Sequence, residues 1–64
     1  MGQKNYIRDK SGRLLYYTEL KSGGRLEVRD KSGRLLGYCK KGETRDRSGR
    51  LVAKGETPGL LYGR

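Results

Sequence analysis

A nine-residue pattern occurs three times in this chain, and it limits the possible folds more than any other feature. Each copy contains Arg-Asp-(Lys/Arg)-Ser-Gly-Arg-Leu and ends in Leu-Leu or Leu-Val. The three gap-free copies occupy residues 7–15, 28–36 and 44–52. The interval is 21 residues from Arg8 to Arg29 and 16 residues from Arg29 to Arg45, so the second connection is the shorter one. Repetition with such a period indicates an array of one supersecondary unit.

Each copy predicts a tight turn between two β-strands. Asp at the first turn position can accept a bond from the backbone two residues later, and Gly at the fourth position accepts a positive φ. Asp-x-Ser-Gly therefore fits a type I turn followed by a left-handed glycine, which is a hairpin loop with a β-bulge. The predicted structural turn residues are Asp9, Gly12, Asp30, Gly33, Asp46 and Gly49. The predicted cross-strand pairs of the first copy are Asp9 with Arg13, Arg8 with Leu14 and Ile7 with Leu15.

This register assigns the side chains to two faces of a sheet, because strand residues alternate with a period of two. The predicted apolar face contains Ile7, Leu15, Tyr17, Leu26, Val28, Leu36, Tyr38, Thr44 and Val52. The predicted opposite face contains Arg8, Leu14, Tyr16, Arg29, Leu35, Gly37, Arg45 and Leu51. Helix is disfavoured, because glycine recurs too often and apolar residues do not follow a helical spacing.

The sequence thus predicts an all-β fold, an antiparallel meander of about six short strands made of repeated hairpins. The predicted strands lie near residues 4–8, 13–20, 25–29, 34–39, 43–46 and 50–54, with a last short strand at 60–62. We predict one hairpin-repeat domain over residues 1–64. Its copies cover residues 6–17, 27–38 and 43–54, with a partial copy at 22–28 and a tail at 55–64.

The composition leaves little material for a core, since only 31% of the residues are hydrophobic. Domains of this size usually need a disulfide, a metal or a partner subunit. The single cysteine, Cys39, cannot close an intrachain disulfide, and without histidine it makes no zinc site. We therefore predict a homo-oligomer, either a dimer with two sheets face to face or a higher ring joined edge to edge.

The net charge of +9 suggests an acidic partner, such as nucleic acid, an anionic membrane surface or an acidic protein. The alternative is a solvated surface on which Lys and Arg keep strand edges from aggregating. For nucleic-acid binding, the candidate residues form two rows of cations with two tyrosines that could stack on bases. These candidates are Arg8, Arg29, Arg45, Arg13, Arg34, Arg50, Lys10, Lys31, Arg47, Tyr6 and Tyr16.

Catalysis has little support in the sequence. Without histidine there is no Ser-His or Cys-His pair. Cys39 could be a thiolate beside Lys40 and Lys41, but a lone cysteine in a strand more often serves packing. We predict no enzyme activity, no cofactor, no metal and no membrane partner, since no apolar run is long enough to span a bilayer. With a single thiol and no export signal at residues 1–5, we expect a cytoplasmic protein.

Residues 6–14 resemble the YD repeat of RHS-type proteins, which reads roughly Tyr-Asp-x-x-Gly-Arg-Leu and recurs about every 20 residues. Asp-x-x-Gly-Arg-Leu matches in all three copies, although Arg replaces the family's Tyr before Asp. In size, the chain is more similar to small stand-alone bacterial and phage proteins built from such hairpins, sometimes called β-flower proteins. The resemblance covers roughly half the chain by the same repeat criterion. It implies a β-structural module without catalysis of its own.

Two functional hypotheses follow. The first is a non-enzymatic structural or protein-interaction module of bacterial or phage type. The second is a small basic protein that binds nucleic acid through an arginine-rich sheet face.

Overall fold

The computed structural model describes residues 3–62, which form a six-stranded antiparallel sheet with the strands in sequence order. The strands are β1 (Gln3–Arg8), β2 (Leu14–Leu20), β3 (Leu26–Asp30), β4 (Leu35–Lys40), β5 (Glu43–Asp46) and β6 (Leu51–Lys54). The predicted all-β meander is confirmed, and the ends of these six strands differ from the prediction by at most one residue.

The three repeated turns share one geometry. In the first, the Asp9 N–H donates to the Arg13 carbonyl oxygen at 2.9 Å, and the Gly12 N–H donates to the Asp9 carbonyl oxygen at 3.0 Å. Gly12 has a φ of 92°, a left-handed conformation that glycine adopts without steric cost. The second and third turns repeat both hydrogen bonds and the positive φ. The predicted type I turn with a left-handed glycine is therefore confirmed.

Each turn, with its predicted β-bulge at the glycine, is followed by a second β-bulge that was not predicted. Arg8 pairs with Leu14 as expected, but Ile7 pairs with Tyr16 rather than with Leu15, because Leu15 is the extra residue of a β-bulge. The register shifts in the same way in the other two hairpins, between Val28 and Arg29 and between Thr44 and Arg45. A shift by one residue moves all later side chains of that arm to the opposite face.

Because of the bulge, the faces predicted for three of the tyrosines are wrong. Tyr17 lies directly opposite Arg29, and Tyr38 lies directly opposite Arg45. Both tyrosines belong to the face that carries the arginines, whereas the sequence had assigned them to the apolar face. Tyr16 was expected beside the arginines and instead lies on the other face.

Gly37 changes face for the same reason and lies opposite Val28. On this face the tail packs: Leu61 is 1% exposed and joins Val28 and Cys39 as the buried hydrophobic residues of the described chain. A Cβ atom on Gly37 would lie 2.9 Å from both Leu61 Cδ atoms and would overlap the Arg45 carbonyl oxygen. The missing side chain of Gly37 therefore makes room for the tail.

The tail does not form the predicted strand at residues 60–62. Pro58–Leu60 form a short 3-10 helix, because proline fixes φ and lacks an N–H for a sheet ladder. The Thr57 N–H donates to Thr44 Oγ1 at 2.9 Å, and the Tyr62 ring stacks on Tyr16 with centroids 5.3 Å apart. We call the surface that the tail covers the tail face. Residues 63 and 64 of the predicted tail lie outside the described residues.

Cys39 is fully buried on the tail face, with its Sγ atom 3.5 Å from Thr44 Oγ1. Its environment fits the predicted packing role. Within residues 3–62, no helix is long and apolar enough to cross a membrane.

Candidate functional site

The strand face opposite the tail face carries the first row of candidate residues, and we call it the arginine face. It contains Arg8, Arg29 and Arg45 together with Tyr6, Tyr17 and Tyr38. Each of these arginines donates from Nη1 to the carbonyl oxygen of the turn glycine four residues later. The distances are 3.1 Å from Arg8 to Gly12, 2.9 Å from Arg29 to Gly33 and 2.8 Å from Arg45 to Gly49. The arginine before each Asp therefore stabilises its own turn.

Two of the three arginines also make an ion pair on their own strand. The Nη2 atom of Arg29 lies 2.9 Å from Glu27 Oε1, and Arg45 makes the same contact with Glu43 at 2.9 Å. Glu27 is only 9% exposed, so its charge needs this partner. In the first copy, Tyr6 stands two residues before Arg8 where the other copies have Glu. The charge of the second and third arginines is thus largely compensated within the sheet.

Two tyrosines of this face, Tyr17 and Tyr38, connect one hairpin to the next. The Tyr17 hydroxyl lies 3.5 Å from the position that a Cβ atom on Gly33 would take, and the Tyr38 hydroxyl lies 4.0 Å from the same position on Gly49. Tyr17 also contacts Tyr6, with ring centroids 5.5 Å apart. Tyr17 and Tyr38 therefore each reach the turn of the following hairpin.

Tyr38 has a further cationic neighbour. The Arg25 guanidinium lies 4.5 Å from its ring centroid, a distance at which the cation and the ring attract each other. Of the two tyrosines predicted to stack on bases, only Tyr6 lies on the arginine face, where it is 51% exposed.

Each turn aspartate accepts three local hydrogen bonds at Oδ1. Asp9 Oδ1 accepts from Ser11 Oγ at 2.7 Å and from the N–H groups of Ser11 and Arg13, both at 2.9 Å. The bond from Ser11 Oγ is the largest cause that lowers the pKa of Asp9 below its ordinary value, followed by the bond from the Arg13 N–H. The pKa values of Asp30 and Asp46 are lowered by the same contacts in their own turns.

All seven Asp and Glu side chains are engaged in contacts within the chain. The three aspartates hold the turns, and Glu27 and Glu43 pair with arginines. Glu19 Oε2 lies 3.4 Å from Lys21 Nζ, and Glu56 accepts from the Gly42 N–H at 3.3 Å. The excess positive charge therefore resides on exposed Lys and Arg side chains.

Six of these exposed cations form the second row of candidates, which we call the turn row. They are Lys10, Arg13, Lys31, Arg34, Arg47 and Arg50. Because consecutive antiparallel strands alternate in direction, the three repeated turns lie at one end of the sheet. The structure thus separates the two predicted rows: the arginine face mainly serves the fold, whereas the turn row is open to solvent.

A cleft of about 660 Å³ opens between the second and third turns. Arg34, Arg47 and Ser48 line it together with the turn residues Asp30 and Asp46. The turn row is therefore concave at this point, and charges of both signs line the cleft.

The acidic side chains and Cys39 are the groups that could provide a metal site or a nucleophile. Residues 3–62 contain no group of three or more Asp, Glu, Cys or His side chains that could hold a metal ion. Lys40 and Lys41 are exposed while Cys39 is fully buried, so its environment is that of a packing residue rather than that of an accessible nucleophile.

Sequence reasoning missed the role of the tail, and it expected nearby acidic residues to neutralise the arginines without naming the ion pairs on the arginine face. The ion pairs had a signal, because Glu occurs two residues before Arg in the second and third copies, and residues i and i+2 share a strand face. Comparison of the chain with protein-family models, with curated proteins and with solved structures gives no match.

Proposed function

We propose that this protein is a non-enzymatic structural or protein-interaction module of bacterial or phage type. The observation that carries the proposal is the use of the repeat residues: Arg, Asp, Ser and Gly of each copy bind one another and hold the turn. Residues that are used in this way serve the scaffold, and the exposed side chains that remain are suited to binding.

Self-association is part of the proposal. Three buried hydrophobic residues among residues 3–62 make a very small core, and a second copy would bury more apolar surface. We expect sedimentation at micromolar concentration to give a mass above the 7.3 kDa of the monomer. A folded monomer under these conditions would contradict this part of the proposal.

A dimer is favoured over an edge-to-edge ring by the repeat register. Tyr17 and Tyr38 stand three residues after the first leucine of their copies, and Lys54 stands at that position in the third copy. Pairing of β6 with β1 of a second copy in this register would set Lys54 opposite Arg8. Like charges directly opposite each other destabilise a sheet.

The turn row supports a second candidate function, the binding of nucleic acid through its phosphates. Its six cations are exposed at one end of the sheet, and the aspartates among them already accept three hydrogen bonds each. Contacts to phosphates provide affinity without sequence preference, and that affinity falls as salt releases counterions.

Fluorescence anisotropy with a labelled oligonucleotide tests this second function. Replacing Arg13, Arg34 and Arg50 with Glu should abolish binding at low salt. The matched control replaces Lys40, Lys41 and Lys54 with Glu. These exposed cations lie outside the turn row, so this variant should retain most of the affinity. The absence of any binding by the unaltered chain at low salt would refute the second candidate.

A further inference from the structure

We propose that the open edge of β1 is a docking site for a strand of another hairpin-repeat protein, and that this strand carries a tyrosine opposite Arg8. The inference rests on the proposed interaction role and specifies the chemistry of the partner. It comes from a comparison of the β1 edge with the two interfaces between hairpins inside the molecule.

The internal interfaces follow one rule. Where β2 meets β3, Tyr17 lies opposite Arg29, and where β4 meets β5, Tyr38 lies opposite Arg45. On the tail face, the residue after each tyrosine is small and buried: Thr18 follows Tyr17, and Cys39 follows Tyr38. A strand that covers an arginine of the repeat thus has the pattern Leu-Leu-x-Tyr-Thr/Cys.

β1 has the arginine of this interface, but no strand with a tyrosine lies beside it within residues 3–62. Arg29 and Arg45 are half-buried under their tyrosines, whereas Arg8 is exposed. Ile7 stands in the position of Val28, one residue before the arginine, and is only partly buried. A further strand would complete the environment that the other two copies already have.

The backbone of β1 is also suited to pairing. The Asp9 N–H points toward β2, where it donates to Arg13. Because N–H directions alternate along a strand, those of Arg8, Tyr6 and Lys4 point to the open edge. Such an edge is a template for addition of an extended strand.

The other edge of the sheet lacks the tyrosine of the rule. β6 has Lys54 at the tyrosine position, and the Gly55 N–H beyond it donates to the Gly42 carbonyl oxygen on the β5 side. The array therefore receives a strand at β1 and does not offer a matching one at β6.

The first test uses the ¹⁵N-labelled full chain and a synthetic hairpin peptide with the sequence of residues 7–20. Amide shift changes and slowed hydrogen exchange are expected at Lys4, Tyr6 and Arg8. The control peptide, with Tyr17→Lys, should bind about five-fold more weakly, which is the size of a good cross-strand pair. Equal binding of the two peptides, or shift changes confined to β6, would overturn the inference.

The second test alters the protein. Lys4→Pro removes one edge N–H and should abolish binding of the tyrosine peptide. Lys54→Tyr gives β6 the missing tyrosine, so this variant should self-associate more strongly than the unaltered chain in sedimentation, and Lys4→Pro in the same chain should reverse that gain. No gain from Lys54→Tyr would contradict the rule. The unaltered chain's own sedimentation judges the interaction role separately.

Discussion

The first and second hairpins have the same turn in different surroundings. In both, Asp accepts three hydrogen bonds and Arg donates to the turn glycine. The second hairpin is covered by Tyr17 and has the pair of Arg29 with Glu27, whereas Arg8 in the first is exposed and has no Glu two residues earlier. The turn is therefore a local property of the repeat, and the burial of its arginine depends on the neighbouring hairpin.

The largest expected effect tests the position at which the hairpins differ most. Gly37 and Tyr16 occupy equivalent positions, opposite Val28 and Ile7. Gly37→Val should cost about 3 kcal/mol or more, because its side chain would collide with Leu61 and with the Arg45 backbone. Thermal unfolding should show a decrease in Tm of more than about 10 °C.

Tyr16→Val is the matched change in the first hairpin. It removes the stacking on Tyr62 and should cost about 1 kcal/mol. Equal losses of stability from the two variants would mean that Leu61 does not pack against Gly37.

The turn glycines provide the next comparison, because Gly12 and Gly33 have the same φ of 92°. A β-branched residue is strained in this conformation, so Gly12→Val and Gly33→Val should each cost about 1–3 kcal/mol. The loss should be larger for Gly33→Val, because the Tyr17 hydroxyl lies nearby while the space around Gly12 is open. Urea unfolding measures both, and an unchanged midpoint for either would contradict the turn assignment.

The arginines should differ in the same direction with a smaller effect. Arg29→Ala leaves the carboxylate of Glu27, which is largely buried, with only the more distant Arg25, whose Nε atom lies 3.6 Å away. We expect a loss of about 2 kcal/mol. Arg8→Ala removes one exposed hydrogen bond and should cost less than about 1 kcal/mol. Equal losses of unfolding free energy in urea would show that Tyr17 and Glu27 do not increase the contribution of Arg29.

The response of the turn aspartates to acid is expected to differ least between the hairpins. The pKa values of Asp9, Asp30 and Asp46 are lowered from the ordinary value of 3.8, so these carboxylates stabilise the fold above about pH 4. This contribution is lost as the pH falls below that value and through the folded pKa values.

NMR titration of the three side chains measures these pKa values directly. Ser11→Ala and Ser32→Ala should each raise the pKa of the aspartate in their own turn, since Ser Oγ is the largest cause of the shift. A pKa that does not respond would show that the serine bond is not its cause.

Much of the local structure could be predicted from the sequence. The strands, the turn type and the roles of Asp9 and Gly12 follow from rules that involve only a few neighbouring residues. The faces of Tyr16 and Tyr17 could not be predicted, because the bulge at Leu15 leaves no distinctive residue type, and one inserted residue reverses every later side chain of the arm.

The candidate site was predicted in part. The two rows of cations follow from the repeat, but their difference does not. Arg29 is held by Glu27 and covered by Tyr17 from a neighbouring strand, whereas the turn row stays exposed. The distinction depends on contacts between hairpins, which require the correct register.

The amino-acid sequence by itself determined the repeated hairpin, because Asp-x-Ser-Gly satisfies its backbone within five residues. The tertiary structure decided which face is covered, since Leu61 reaches the space left by Gly37 from 24 positions further along the chain. It also decided that Arg29 and Arg45 lie under tyrosines of neighbouring strands while Arg8 stays exposed. Hydrogen bonds within a turn are local, whereas burial depends on whichever segment packs against a face.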